Sequence, residues 1–201
     1  MPKTKEQFEA MKMASVEKIN ETAVKLFAKR GLAGTNIREI AKEAGISMGL
    51  MYHYYKSKED LYAELVRFAV TSANELLARL MTEEIPAKEK IEFFTQHILD
   101  SLKDDNAPTP YYFALMNQAL RNDGLPKTAE KYTEMAFESL HTLRAIIESG
   151  QATGEIKNGD AMSLAILYLS AQHGLCSFKL MAGDAFTPPN PAWVNEILIN
   201  K

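Results

Sequence analysis

Residues 35–61 read TNIREIAKEAGISMGLMYHYYKSKEDL, two short helical stretches parted at a glycine and followed at once by a third. Ile37, Ile40, Ala41 and Ala44 fall on one apolar stripe, Thr35 stands where an N-cap belongs, and Gly45 supplies the C-terminal stop. Ser47 can cap a second helix running to about Tyr55, and Ser57 with Asp60 three residues on can cap the next. Upstream, Ile19, Ala23, Leu26 and Phe27 recur at helical spacing between Ser15 and Arg30, where Gly31 ends the segment. Two short helices around a turn of about three residues have the dimensions of a helix-turn-helix, whose second helix enters the DNA major groove.

The helical period continues outward from this stretch. KEDLYAELVRFAVTSANELLARLMTEE runs about 25 residues without Pro or Gly, roughly 37 Å, before Pro86 breaks it. Further helices are expected at 87–104, 109–122, 126–149, 160–182 and 191–200, punctuated by DDNAPTP, NDGLP, GQATGEIKNGD and GDAFTPPNP. No alternating strand pattern or Asn-Gly hairpin signal occurs. The fold expected is all-α with about nine helices: a three-helix head over residues 1–60 and a helical body over 61–201.

Composition bounds the function. The 201 residues are 46% apolar and 24% charged, enough for a real core. No apolar run reaches the roughly eighteen residues that span a bilayer, and the N-terminus lacks a signal-peptide core, so a cytoplasmic protein with no membrane partner is expected. Residues 1–60 hold 11 Lys+Arg against 8 Asp+Glu, net +3, while residues 61–201 hold 12 against 18, net −6. A basic head on an acidic body suits nucleic acid on one side only. There is no Gly-rich phosphate loop, His-x-x-x-His pair or CxxC, and the four histidines are scattered. His173 with Cys176 reads as core packing on an apolar helix, so no catalytic residue, metal or cofactor is expected, and no enzyme.

On the presumed reading helix, Met51, Tyr54 and Tyr55 stand at i, i+3 and i+4 and are expected to face the small core with Ile46. Met48, Tyr52 and His53 fall on the opposite side and would meet the groove. Ser47 offers a hydroxyl and free N–H groups to phosphate, while Thr35, Tyr52, Lys56 and Lys58 suit phosphate oxygens. Gly49 reads either as a point of close approach to DNA or as a sign that the helix begins later.

These residues carry a resemblance. LFAKRGLAGTNIREIAKEAGISMGLMYHYYKSKEDLYAELV, residues 26–66, resembles the DNA-binding domain of the tetracycline-repressor (TetR) family, with Phe27, Gly31, Thr35, Ile40, Ala41, Gly45, Ser47, Gly49, Tyr52, Tyr54, Lys58 and Leu61 in order and without a gap. The resemblance implies a homodimeric transcriptional regulator, a repressor rather than an activator, that binds a double-stranded operator and answers to a small effector. It implies operator contacts from Thr35, Ser47, Gly49, Tyr52, His53 and Lys58. Met48 stands where the family is commonly basic, and Leu50 where it is commonly small or hydroxylic. Such side chains can touch a thymine methyl but cannot grip guanine as Arg does, so direct readout should favour A·T pairs. A helical protein-interaction module, or an activator using the same head, is the alternative.

For the body, Phe94, His97, Tyr112 and Met116, with Asn117, Phe137 and His141, form an apolar set with a few polar points. It reads either as the lining of an effector site, suited to an apolar or aromatic molecule, or as the bundle's own core. The helix expected at 160–182 is apolar nearly all round. With the last helix it could build a four-helix dimer interface through Leu164, Tyr168, Ala171, Leu175, Trp193 and Ile197, or be buried within one subunit. The long helix of residues 58–84 is the candidate lever between body and head.

Overall fold

The structure, a computed structural model, describes residues 5–104, 107–120 and 129–200. Those residues form nine α-helices in chain order: α1 (Lys5–Arg30), α2 (Ile37–Glu43), α3 (Met48–Tyr54), α4 (Lys58–Thr82), α5 (Ala87–Ser101), α6 (Thr109–Leu120), α7 (Ala129–Ala152), α8 (Ala161–Ala182) and α9 (Pro191–Asn195). The break expected at NDGLP falls outside the described residues.

The punctuation of the head follows its side chains. Gly31 and Gly45 adopt φ of 70° and 67°, the left-handed conformation in which a Cβ is strained, and they end α1 and α2. The Ser47 hydroxyl accepts from Leu50 N at 3.2 Å and Ser57 from Asp60 N at 3.0 Å, so both expected caps form. The cap of α2 is shifted by one residue. Asn36 Oδ1 accepts from Arg38 N at 2.9 Å, whereas Thr35, only 2% exposed, turns its hydroxyl inward to donate to Gly31 O at 2.8 Å. At the other end, α1 starts at Lys5, ten residues before the expected Ser15. KEQFEAMKMA contains no helix breaker, but Met11 and Met13 in it are exposed and so carry no periodic signal.

Two hydrophobic clusters organise the chain. The first gathers Ile19, Val24 and Phe27 of α1, Ile40 of α2 and Met51 of α3, all with no exposed surface, around Leu61, Tyr62, Leu65, Val66 and Val70 of α4. Phe27 and Tyr62 meet edge to face with centroids 5.1 Å apart. This cluster does not stop at residue 60, because it also takes in Leu115, Met116 and Ala119 of α6. The second joins the far half of α4 to α5, α7, α8 and α9.

The last helix departs from expectation by stopping at Asn195, not residue 200. The chain beyond it pairs with the loop after α7, Lys157 N donating to Leu198 O at 2.8 Å and Asn200 N to Glu155 O at 3.1 Å. Helix α7 in turn runs through Gly150, which lies where Ile156 and Ala87 close in. A Cβ there would meet the Ile156 side chain at 2.7 Å and the Ala87 methyl at 2.8 Å. Gly150→Ala is therefore expected to destabilise by about 1–3 kcal/mol through overpacking, despite alanine's better helix propensity. An unchanged or raised midpoint in thermal melts would refute this.

Candidate functional site

Helix α3 presents two faces. Met51 is fully buried, and Tyr55 is buried with its hydroxyl donating to Asn20 Oδ1 at 2.8 Å, which pins the end of α3 to α1. Tyr54 is half-buried against the same cluster, as expected. On the open face Tyr52 is 53% exposed, and His53, Ser47 and Lys56 are exposed beside it. The His53 ring leans edge-on against Tyr54 with centroids 5.2 Å apart. Met48 departs from its expected outward position: it is half-buried and packs on the head cluster, because the first turn of α3 lies down on that core. Leu50 is half-buried too. Gly49 lies inside α3, so the helix does not start later, and an added Cβ would find nothing within 4 Å. No contact within the subunit requires glycine here.

Lys58 is a strut. Its half-buried ammonium donates to Leu32 O at 2.8 Å and Thr35 O at 3.0 Å, closing the turn between α1 and α2 onto the start of α4. With Thr35 it shapes the head from within. Asn36 and Arg38, exposed at the start of α2, were not singled out by the sequence reading, although a basic residue in the first turn of α2 was a visible signal.

Among the described residues, two apolar cavities lie between the helices of the body. The smaller, about 220 Å³, is walled by α4, α5 and α6 and includes Phe68, Phe94, His97, Tyr112, Phe113 and Met116. The larger, about 380 Å³, lies between α4, α6, α7 and α8 and includes Val70, Phe113, Phe137, Ser139, Ser170 and His173. Ala73, Phe94, Phe113 and Met116 line both, so the two are chambers on either side of a shared wall. Five of the seven residues expected at an effector site, Phe94, His97, Tyr112, Met116 and Phe137, are brought to these walls. Asn117, half-buried, and His141, exposed, line neither chamber, since their positions on α6 and α7 turn away from it.

His173 is the residue sequence reasoning placed in the core. It lines the larger chamber, its ring edge-on to Phe113 with centroids 4.8 Å apart. Burial lowers its pKa, so the imidazole is neutral at pH 7. Burial likewise pushes the Tyr112 hydroxyl up to about 12. The neighbouring Cys176 is buried and free, its thiol also pushed up to about 12 by burial, and so stays protonated.

Helix α4 is fastened to α7 beside this chamber. Asn74 Nδ2 donates to Met135 O and Glu138 Oε2, both at 2.8 Å, and Ser139 Oγ donates to Asn74 Oδ1. Helix α6 is fastened to the head: Gln118 Nε2 donates to Ala28 O at 2.8 Å, and the Lys25 ammonium lies 5.9 Å from the Tyr111 ring centroid.

The expected interface residues divide. Tyr168 has no exposed surface; its hydroxyl lies 2.6 Å from Thr95 Oγ1, which also donates to Asn195, so Tyr168 is internal cement and cannot meet a partner. Trp193 is 69% exposed, while Leu164, Ala171, Leu175 and Ile197 are half-buried. The apolar side chains that α8 turns outward are Ile166, Leu167, Phe178 and Met181, the last 78% exposed.

Residues 19–65 match the description "Bacterial regulatory proteins, tetR family". The chain is 30% identical over 148 residues to the fatty acid metabolism regulator protein of Bacillus subtilis, covering 73% of each chain. The chain belongs to the tetR family. It is a DNA-binding transcriptional regulator. A second relative, the HTH-type transcriptional repressor NicS of Pseudomonas putida, is 26% identical over 171 residues, covering 81% of this chain and 79% of that one. The crystal structure of the MbdR regulator from Azoarcus shares the fold with a TM-score of 0.77 at 21% identity, over 92% of this chain and 97% of that one. No helix among the described residues is long and apolar enough to cross a membrane.

Proposed function

We propose that the protein is a homodimeric repressor whose two α3 helices read a palindromic operator, and that a small molecule in the chambers releases it. The observation that carries this reading is the continuity of one core: the cluster that seats α3 through Met51 contains Val70 and Met116, which are also chamber walls. A ligand that displaces either residue acts on the packing beneath the reading helix. Two struts carry the displacement, α4 by its own length and α6 through Gln118 and Tyr111. A coupling of about 1–3 kcal/mol is ordinary for such an arrangement.

At the DNA, Tyr52, His53, Lys56 and Ser47 meet the operator directly, and Gly49 lets the backbone approach it. Thr35 and Lys58 act one step back, holding the turn that presents them. Met48 and Leu50 expose only part of their apolar surface, which suits thymine methyls. The outward face of α8 with Trp193 joins the subunits, since side chains such as Leu167, Phe178 and Met181 seldom gather on a surface that stays bare. The paired α3 helices then lie about one DNA turn, roughly 34 Å, apart. The repressor name of the NicS relative supports repression over activation.

Fluorescence anisotropy with the duplex upstream of the protein's own gene tests the reading. Tight binding that weakens steeply between low and moderate salt and is lost on a scrambled duplex is expected. Equal affinity for both duplexes would remove the operator from the account.

A further inference from the structure

The geometry points to one occupant for both chambers: an extended apolar molecule, uncharged along its buried length, whose neutral hydroxyl end is held by His173. This inference rests on the effector site proposed above and names the chemistry of what fills it.

The shape comes from the shared wall. Phe94, Phe113 and Met116 reach in from α5 and α6, and Ala73 of α4, with only a methyl, faces them. A molecule filling both spaces has to thread between these four side chains, a waist at which a narrow chain displaces less than a broad ring system does. The charge comes from the lining. Among the described residues, no Asp, Glu, Lys or Arg lines either chamber, so an ion buried there has no counter-charge and forfeits its hydration. The aromatic faces of Phe68, Tyr112, Phe94 and Phe113 would return part of that cost to a quaternary ammonium by cation–π attraction. That makes the ammonium the sharpest competitor.

The polar end comes from His173. Among the described residues no hydrogen bond reaches its ring nitrogens, and the ring lies on the wall of the larger chamber against Phe113. A neutral imidazole carries one donor and one acceptor. A hydroxyl both accepts and donates, so it satisfies the two together, and Ser170, one turn earlier on the same wall, offers a second polar contact. A hydrocarbon end would leave the half-buried imidazole unpaired. At the other chamber, His97 stacks on exposed Phe93 with centroids 6.5 Å apart and is itself exposed, so that end opens to water and imposes no such demand.

Calorimetric titration of the free protein, without DNA, with 1-decanol, decanoate and decyltrimethylammonium separates these chemistries at constant chain length. The alcohol is expected to bind at least about tenfold more tightly than either ion. From 1-hexanol to 1-decanol its affinity should rise about fourfold per methylene as the chain crosses the waist. His173→Phe should lose about tenfold for 1-decanol, and His173→Gln, which keeps a donor and an acceptor, should recover most of it. The inference is overturned if either ion binds as tightly as the alcohol, if no alcohol binds, if affinity stops rising at 1-hexanol, or if both His173 variants bind as the native protein does. Because no DNA is present, these outcomes stand apart from the regulatory reading. A tight alcohol complex that leaves operator affinity unchanged would count against effector release alone.

Discussion

Tyr52→Ala is expected to weaken operator binding by about 100-fold to 10,000-fold, with the melting temperature nearly unchanged. Tyr52 is more than half exposed on the open face of α3, while the helix is held by Met51 and Tyr55 on the other side, so the substitution leaves the head core intact. A surface change of this kind costs within about 0.5 kcal/mol of stability. A hydroxyl given to a charged phosphate oxygen contributes about 1.5–3 kcal/mol, which is about tenfold to a hundredfold, and the proposed dimer makes the contact twice. Anisotropy on the native duplex measures the loss, and Tyr52→Phe separates the hydroxyl from the ring. Native affinity in Tyr52→Ala would take Tyr52 out of the interface.

The head was legible because its signals are local. Gly31 and Gly45 need positive φ, Ser47 and Ser57 cap the amide three residues ahead, and Met51 and Tyr55 share one helix face. Each is readable within a turn or two of chain. The misplaced details are also local: Thr35 and Asn36 are both good caps, and only the inward hydrogen bond to Gly31 O decides between them. Met48 lies on the polar side of a seven-residue helix whose first turn is tilted onto the core, a tilt that periodicity does not encode.

The body was legible only as helices. Its chambers are assembled from five helices, and which apolar side chain meets a void and which meets a neighbour is settled by packing. Helix α8 shows the difficulty most plainly. Being apolar nearly all round, it has no phase to read, so its sequence leaves Tyr168 open between a dimer interface and the subunit interior, where the structure places it, and it reads half-buried His173 as plain core packing although that ring lines the larger chamber. Helix α6 does not show as a second connection in the sequence because Gln118 and Lys25 are unremarkable there and reach their partners, Ala28 O and the Tyr111 ring, only across the fold, 90 residues from Gln118 to Ala28.

The central claim is that filling the chambers changes the affinity of α3 for DNA, and a substitution can fill them without any ligand. Ala73 faces both chambers from α4, where a phenyl ring has room, since an apolar cavity of about 150 Å³ already accepts a benzene. The ring would press on Phe113 and Met116, and Met116 belongs to the cluster that seats the reading helix. The decisive measurement is therefore the operator affinity of Ala73→Phe against the native protein, with a thermal melt to verify folding. The account predicts a folded protein that binds its operator about 5-fold to 150-fold more weakly, the range of an ordinary allosteric coupling. A folded Ala73→Phe protein with native operator affinity would contradict it.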